Sequence, residues 1–339
     1  MTRSARRRWT RELTSEVDGI AVGSSGPVLL HGYDPPAGGR WIDDAIPGKL
    51  AALDRNNGEI LWVSPCEVGY GRGFGAGFGP ENDVIVVGPS NNGHRIVRMS
   101  LANGELLAAA GIPAFDEALV SPDLVVLLSA GQVLAIDTKK LEKRWNHARE
   151  AERYHHLGRN QNRVFVVASN RQTKRQGVFS LDVKSGKVER WLVQPNQRVI
   201  HDIAVDKHGL TLSCSDLEEL LPREALIEFL VQRGDDIKKK SQLALVCIAP
   251  DAGSNDAPLW YELLDQPASE EFPEISITAD SGKLYVVRGA LLEVRDGLTG
   301  RPLDEWAVPG LYERVGWSVA EGAGLLAEET RVSIFELPA

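Results

Sequence analysis

The chain has 339 residues, 43% of them hydrophobic, with 33 Gly, three Cys and a formal net charge of -9. That apolar share supports a sizeable folded core, and no run approaches the length of a membrane span. A generally acidic surface repels phosphate backbones, so nucleic acid is disfavoured as a partner.

At the N-terminus, Met1 to Trp9 lacks the apolar stretch of a secretory signal. With three Cys as well, a reducing cytoplasm is the expected compartment. Arg8 to Leu13 then reads as a strand carrying Trp9, and Arg6, Arg7 and Arg8 as charges that guard a sheet edge. Apolar runs at Pro27–Leu30, Asp83–Val87, Leu124–Leu128, Arg163–Val167 and Lys283–Val287 suit strands buried on both faces. The segment Leu50 to Trp62 holds an apolar strand, a turn from Asp54 to Gly58 and a second strand with a Trp. It recurs at Val133 to Trp145, Val178 to Trp191 and Leu292 to Trp306.

Alignment on the Asp gives Asp54, Ser100, Asp137, Asp182, Ala249, Asp296 and Glu336, with a turn Gly four residues on at Gly58, Gly104, Gly186, Gly253 and Gly300. The spacing is close to the roughly 40 to 45 residues of a four-stranded propeller blade. Gly69 to Gly79 has glycines at alternate positions and no following helix. It therefore reads as an inner strand crowded by neighbours, not as a phosphate loop.

Residues 216–242 depart from the β pattern. Ser215-Asp-Leu-Glu218 is a capping box, Pro222 suits a first helical turn, and Arg223 to Arg233 followed by Gly234 reads as a helix. Its apolar stripe contains Leu226, Phe229 and Leu230. The final unit, ending at Ala339, has a third strand and no residues left for a fourth, so the N-terminal strand is predicted to complete it.

The expected fold is thus an all-β, seven-bladed propeller of four-stranded antiparallel blades in one domain, 1–339, with a helical insertion in blade five. The blades are placed at about 17–66, 70–113, 114–150, 151–196, 197–266, 267–310, and 311–339 joined by 5–14.

The Leu-Asp turn, its Gly and the following Trp resemble the PQQ-like (pyrroloquinoline-quinone-like) propeller repeat. That repeat occurs in quinoprotein dehydrogenases and in the lipoprotein that helps to assemble outer-membrane barrels. The resemblance spans essentially the whole chain and implies blade architecture. The second unit departs from it with Ala108 in place of the Trp. In the fifth and sixth units Trp260 and Trp306 lie seven and six residues beyond Gly253 and Gly300, and there are seven units where those families usually have eight. The quinone is disfavoured here, because the adjacent Cys pair that accompanies it is missing. No cofactor and no metal are assigned.

Functional candidates fall in two groups. The connections 32–47, 169–176 and 216–242 emerge on one face, where loops carry recognition. They contribute Tyr33, Arg40, Trp41, Arg171, Lys174, Arg175, Leu226, Phe229 and Leu230 as partner contacts. The openings of the first strands bring Arg72, His155, His156, His201, Asp202, Glu274 and Arg314 to a channel mouth. Strand alternation lets each adjacent pair there supply at most one group to a common centre. The expected function is a non-catalytic scaffold for one or more proteins. The alternatives are a metal-dependent lyase or hydrolase at the channel mouth, and a small-ligand or carbohydrate sensor stacking on Trp41 and Tyr33. Cys214 and Cys247 are expected as buried free thiols.

Overall fold

The computed structural model describes residues 3–22, 26–33, 48–69, 74–129, 131–196, 199–215, 243–254, 256–264, 275–311, 314, 316–320 and 322–337. All regular elements among them are strands, arranged as seven antiparallel blades of a β-propeller. The sheets lie at 16–66, 75–112, 117–148, 152–196, 199–264 and 275–307, with a seventh at 316–336. The expected helix at 216–242 lies outside the described residues.

The N-terminal strand does complete the last blade. Arg6–Glu12 pairs antiparallel with Arg331–Glu336, with Arg6 opposite Glu336 and Trp9 opposite Ile334. A further two-residue strand, Arg3–Ser4, adds to the edge of blade six and makes that sheet five-stranded.

The chain divides into two compact units. One comprises Met1–Arg3 and Arg149–Ala307 and carries blades four to six; the other comprises Ser4–Ala148 and Val308–Ala339 and carries blades one, two, three and seven. Within each, the apolar core lies between consecutive blades. In the first, Phe165, Val167, Leu212 and Val246 join blades four and five. In the second, Leu30, Leu53, Leu325 and Ile334 join blades seven and one. Second strands such as Val28–Tyr33 are buried throughout.

Contacts at the turns explain the repeat. The Asp carboxylate accepts backbone N–H groups from the turn that follows: Asp54 Oδ1 from Asn56 at 2.7 Å, Asp137 Oδ1 from Lys140 at 2.9 Å, Asp296 Oδ1 from Thr299 at 2.8 Å. Four residues on, the chain turns left-handed, with φ of 74° at Gly58, 71° at Gly104, 67° at Gly186 and 70° at Gly300. Gly253 is not left-handed, because blade five closes a shorter turn from Ala252 N–H to Ala249 C=O at 3.0 Å.

In three places the Trp of one blade closes over the turn of the next. Trp9 Nε1 donates to Arg55 C=O at 2.9 Å, Trp62 to Leu101 C=O at 2.9 Å and Trp260 to Gly297 C=O at 3.1 Å. A Cβ on Gly58, Gly104 or Gly300 would stand 2.7, 2.6 or 2.5 Å from those rings. The glycine thus supplies both the backbone conformation and the clearance that lets the indole lie flat on the turn.

Crowding accounts for the Gly-rich strand as well. A Cβ on Gly75 would meet Ala118 at 2.8 Å and one on Gly77 would meet Val120 at 2.8 Å, both on the first strand of blade three.

Candidate functional site

The first strands of blades four and five (Glu152–Arg159 and Val199–Val205) lie side by side and carry the densest group of titratable side chains that the sequence singled out. Each is bulged at its histidine. Tyr154 pairs with Ala168 and Leu157 with Val166, so His155 and His156 together span one partner position; His201 is the extra residue between Ile200 and Asp202. A bulge breaks strict alternation and re-aims side chains. Strict alternation is therefore interrupted at both pairs.

Both outer imidazoles meet a hydroxyl on the neighbouring second strand. His155 Nε2 lies 2.7 Å from Ser169 Oγ, and His201 Nε2 lies 3.0 Å from Ser215 Oγ. Sequence reasoning missed these serines. Their spacing of 46 residues, equal to that of the histidines, was the available signal. Burial, reinforced by His155 and His201, brings His156 down to about 4. His155 is also lowered, by burial and then by Arg153. Burial thus favours the uncharged form of both rings at neutral pH.

Asp202 has a structural task. Its Oδ2 accepts Ile277 N–H of blade six at 2.8 Å and its Oδ1 accepts Ile203 N–H at 2.8 Å. Burial raises its carboxyl to about 6 against those two bonds. Among the described residues, no three His, Cys, Asp or Glu side chains converge as metal ligands. Arg72 and Glu274 lie outside the described residues; Arg314 donates to Leu311 C=O at 3.0 Å.

On the other face candidates, the structure separates what the sequence grouped. Tyr33 is buried and donates from Oη to Glu16 Oε2 at 2.7 Å, so its ring offers no stacking surface. Arg40, Trp41, Leu226, Phe229 and Leu230 lie outside the described residues. The 169–176 connection is a tight hairpin, because strand pairing reaches Ser169 opposite Gln176. Asn170 takes the Asp role there, accepting Gln172 and Thr173 N–H at 3.0 and 2.9 Å, and Lys174 takes the left-handed position at φ 61°. Arg171, Lys174 and Arg175 are all exposed on this turn. Arg171 Nε donates to Glu152 C=O at 3.0 Å.

Two clefts lie in the unit of blades one, two, three and seven. One, of about 240 Å³, runs between the N-terminal strand and blade one, with Arg11, Glu16, Lys49, Ile60 and Val63 in its walls. The other, of about 610 Å³, lies at the ends of first strands, and its walls include Ala76, Gly77, Asp83 and Ser121. Ionic contacts around the buried Arg295 and Glu293 join blades five and six: Arg295 pairs with Glu262 and Glu293, and Glu293 also with Arg288. Cys66, Cys214 and Cys247 are all buried, and none of them is in a disulfide. Cys214 stands opposite Ala244 and Cys247 opposite Thr211, so the two do not face one another.

Residues 47–210, from blade one into blade five, match the family model described as outer membrane protein assembly factor BamB. This stretch resembles the PQQ-like repeat family. Its Asp turn, left-handed Gly and docked Trp are the physical content of the PQQ-like repeat in this chain. Among solved structures, the computationally designed Ika8 protein aligns over 98% of this chain and all of its own, at 11% identity and a TM-score of 0.54, a likeness of fold alone. BamB from Moraxella catarrhalis aligns over 98% of this chain and all of its own, at 12% identity and a TM-score of 0.48. No curated protein sequence matches the chain.

Proposed function

We propose that the chain is a non-catalytic scaffold that binds one or more proteins at the hairpin ends of its blades. The observation that carries this reading is the blade-four turn. It presents Arg171, Lys174 and Arg175 together in a chain whose formal charge is -9, on a hairpin tied to Glu152. Long-range attraction at such a turn favours an acidic protein surface and speeds its encounter. The Trp contacts from blade to blade suit a surface that binds without rearranging. The matched family, named for an assembly factor, is in keeping with a protein-binding role. The compartment proposed is the cytoplasm, checked by fractionating cells and following the chain by immunoblot.

The test is affinity purification of the native protein beside an Arg171→Glu, Lys174→Glu, Arg175→Glu variant. A stoichiometric partner that is retained by the native chain and lost by the variant is expected. A native chain recovered alone, or a partner held equally by both, sinks the reading.

A further inference from the structure

Every blade of a propeller ends in an outer strand whose far side has no strand of its own blade to pair with. Such an edge exposes a row of N–H and C=O groups and is blunted by charges or proline. In this chain five of the seven outer strands carry charged residues: RRRWTRE, KRWNHA, VERWLVQPN, WYELL and PLDEWA. Blade one has the uncharged Ile60–Cys66 but includes Pro65. Among the described outer strands, only that of blade two, Leu106–Ile112 reading LLAAAGI, has neither charge nor proline.

The local geometry leaves that edge accessible. Among the described residues no strand pairs with its outer side. Ala109 packs toward the core shared with blade one, and Ala110 and Ile112 toward the core shared with blade three. The outward-facing chemistry from Ala108 to Ile112 is therefore mostly backbone. A Cβ added to Gly111 would meet nothing within 4 Å. At the other end, where a bulge falls between Leu106 and Ala108, Leu106 and Leu107 are each 48% exposed.

We infer that the outer strand of blade two is a strand-addition site for an extended, uncharged, apolar segment of a partner protein. The chain itself provides the precedent, since its own Arg3–Ser4 already adds to the edge of blade six, held by Arg3 to Asp304 at 2.9 Å. An extended backbone can pair with the whole row of edge groups that otherwise bond to water. A side-chain charge on the incoming segment would find no counter-charge on LLAAAGI, whereas an apolar residue would cover Leu106 and Leu107. A second copy fits less well. Two blade edges would meet along a strip only about 23 Å long and one strand wide, too narrow to bury the roughly 1,200 Å² of specific assemblies. A separate segment has no scaffold of its own to keep it from following the edge and folding over the leucines.

The inference deepens the scaffold reading and fails separately from it. The probe is a fluorescein-labelled octapeptide of alternating Val and Thr, with an analogue N-methylated at alternate amides, titrated into the full chain by fluorescence anisotropy. Saturable binding of the parent peptide is expected, with at least tenfold weaker binding of the N-methylated one. Gly111→Lys enters open space and Leu107→Lys an exposed position. Each is expected to weaken parent-peptide binding at least tenfold at an unchanged melting temperature. Absent binding, or binding indifferent to N-methylation or to both lysines, overturns the inference. A native chain that sediments as a dimer, and as a monomer with Gly111→Lys, assigns the edge to a second copy and overturns it too. If charge reversal at Arg171, Lys174 and Arg175 strips a partner that Gly111→Lys retains, and the peptide does not bind, the scaffold stands without strand addition.

Discussion

Asp202 and His156 are half-buried on neighbouring first strands and pull the stability of the chain in opposite directions with pH. Asp202, raised to about 6, contributes stability that is fully present below its unfolded value near 4 and is lost as pH rises through about 6. His156, lowered to about 4, contributes stability that is present above about 6.5 and is lost as pH falls through about 4. Asp202→Asn removes the first contribution and leaves the second. Its urea midpoint is therefore expected to climb more steeply than the native one between about pH 4 and 6. Superimposable profiles would mean that Asp202 does not titrate in that window. The sequence showed these residues as adjacent polar pairs. It could not show that bulges at 155–156 and 201 defeat alternation, or that the acceptor duty of Asp202 falls on Ile277, 75 residues away. A bulge depends on the partner strand as much as on its own residues.

At the level of the element, the turn with its docked Trp was the most legible feature, because it is written in one short stretch of chain and repeated. The partners of Trp9, Trp62 and Trp260 were not legible, since these indoles close on the following blade. That separation matters for the cost of losing the ring nitrogen. Trp62 Nε1 donates to Leu101 C=O at 2.9 Å, whereas the buried Trp306 Nε1 has no acceptor among the described residues. Trp62→Phe is expected to cost about 1 kcal/mol for the lost bond. Trp306→Phe should cost clearly less of that polar contribution, because it removes a buried donor left unpaired. Urea midpoints of the two variants decide it: equal losses would place an acceptor beside Trp306. The same comparison of turns explains why Lys174, at φ 61°, stands where four other turns use Gly. The sequence disguised that turn as a longer insertion because Asn170 replaces the Asp and no Gly marks its end.

For the whole molecule, the number of blades and the use of the N-terminal strand followed from counting strands against available residues. The helix proposed at 216–242 rests on local capping signals alone, whereas the strand exchange has a register. Arg6–Glu12 covers Arg331–Glu336, whose Val332, Ile334 and Phe335 are fully buried. It also carries Trp9 onto Gly58 and Arg11 onto Gly58 C=O at 3.0 Å, so one strand ties blade seven to blade one. Removing it uncovers an apolar edge and deletes a blade-to-blade latch at once. Loss of residues 1–14 is therefore expected to lower the melting temperature by on the order of 10 °C, as several kcal/mol would in a domain of this size. The truncated chain should bind a hydrophobic dye, and a synthetic peptide of residues 1–14 added in trans should recover part of the shift. Because Trp9 acts on blade one and the strand acts on blade seven, the four blades of that unit should melt together. A truncated protein with an unchanged melting curve would show that the two chain ends do not depend on one another.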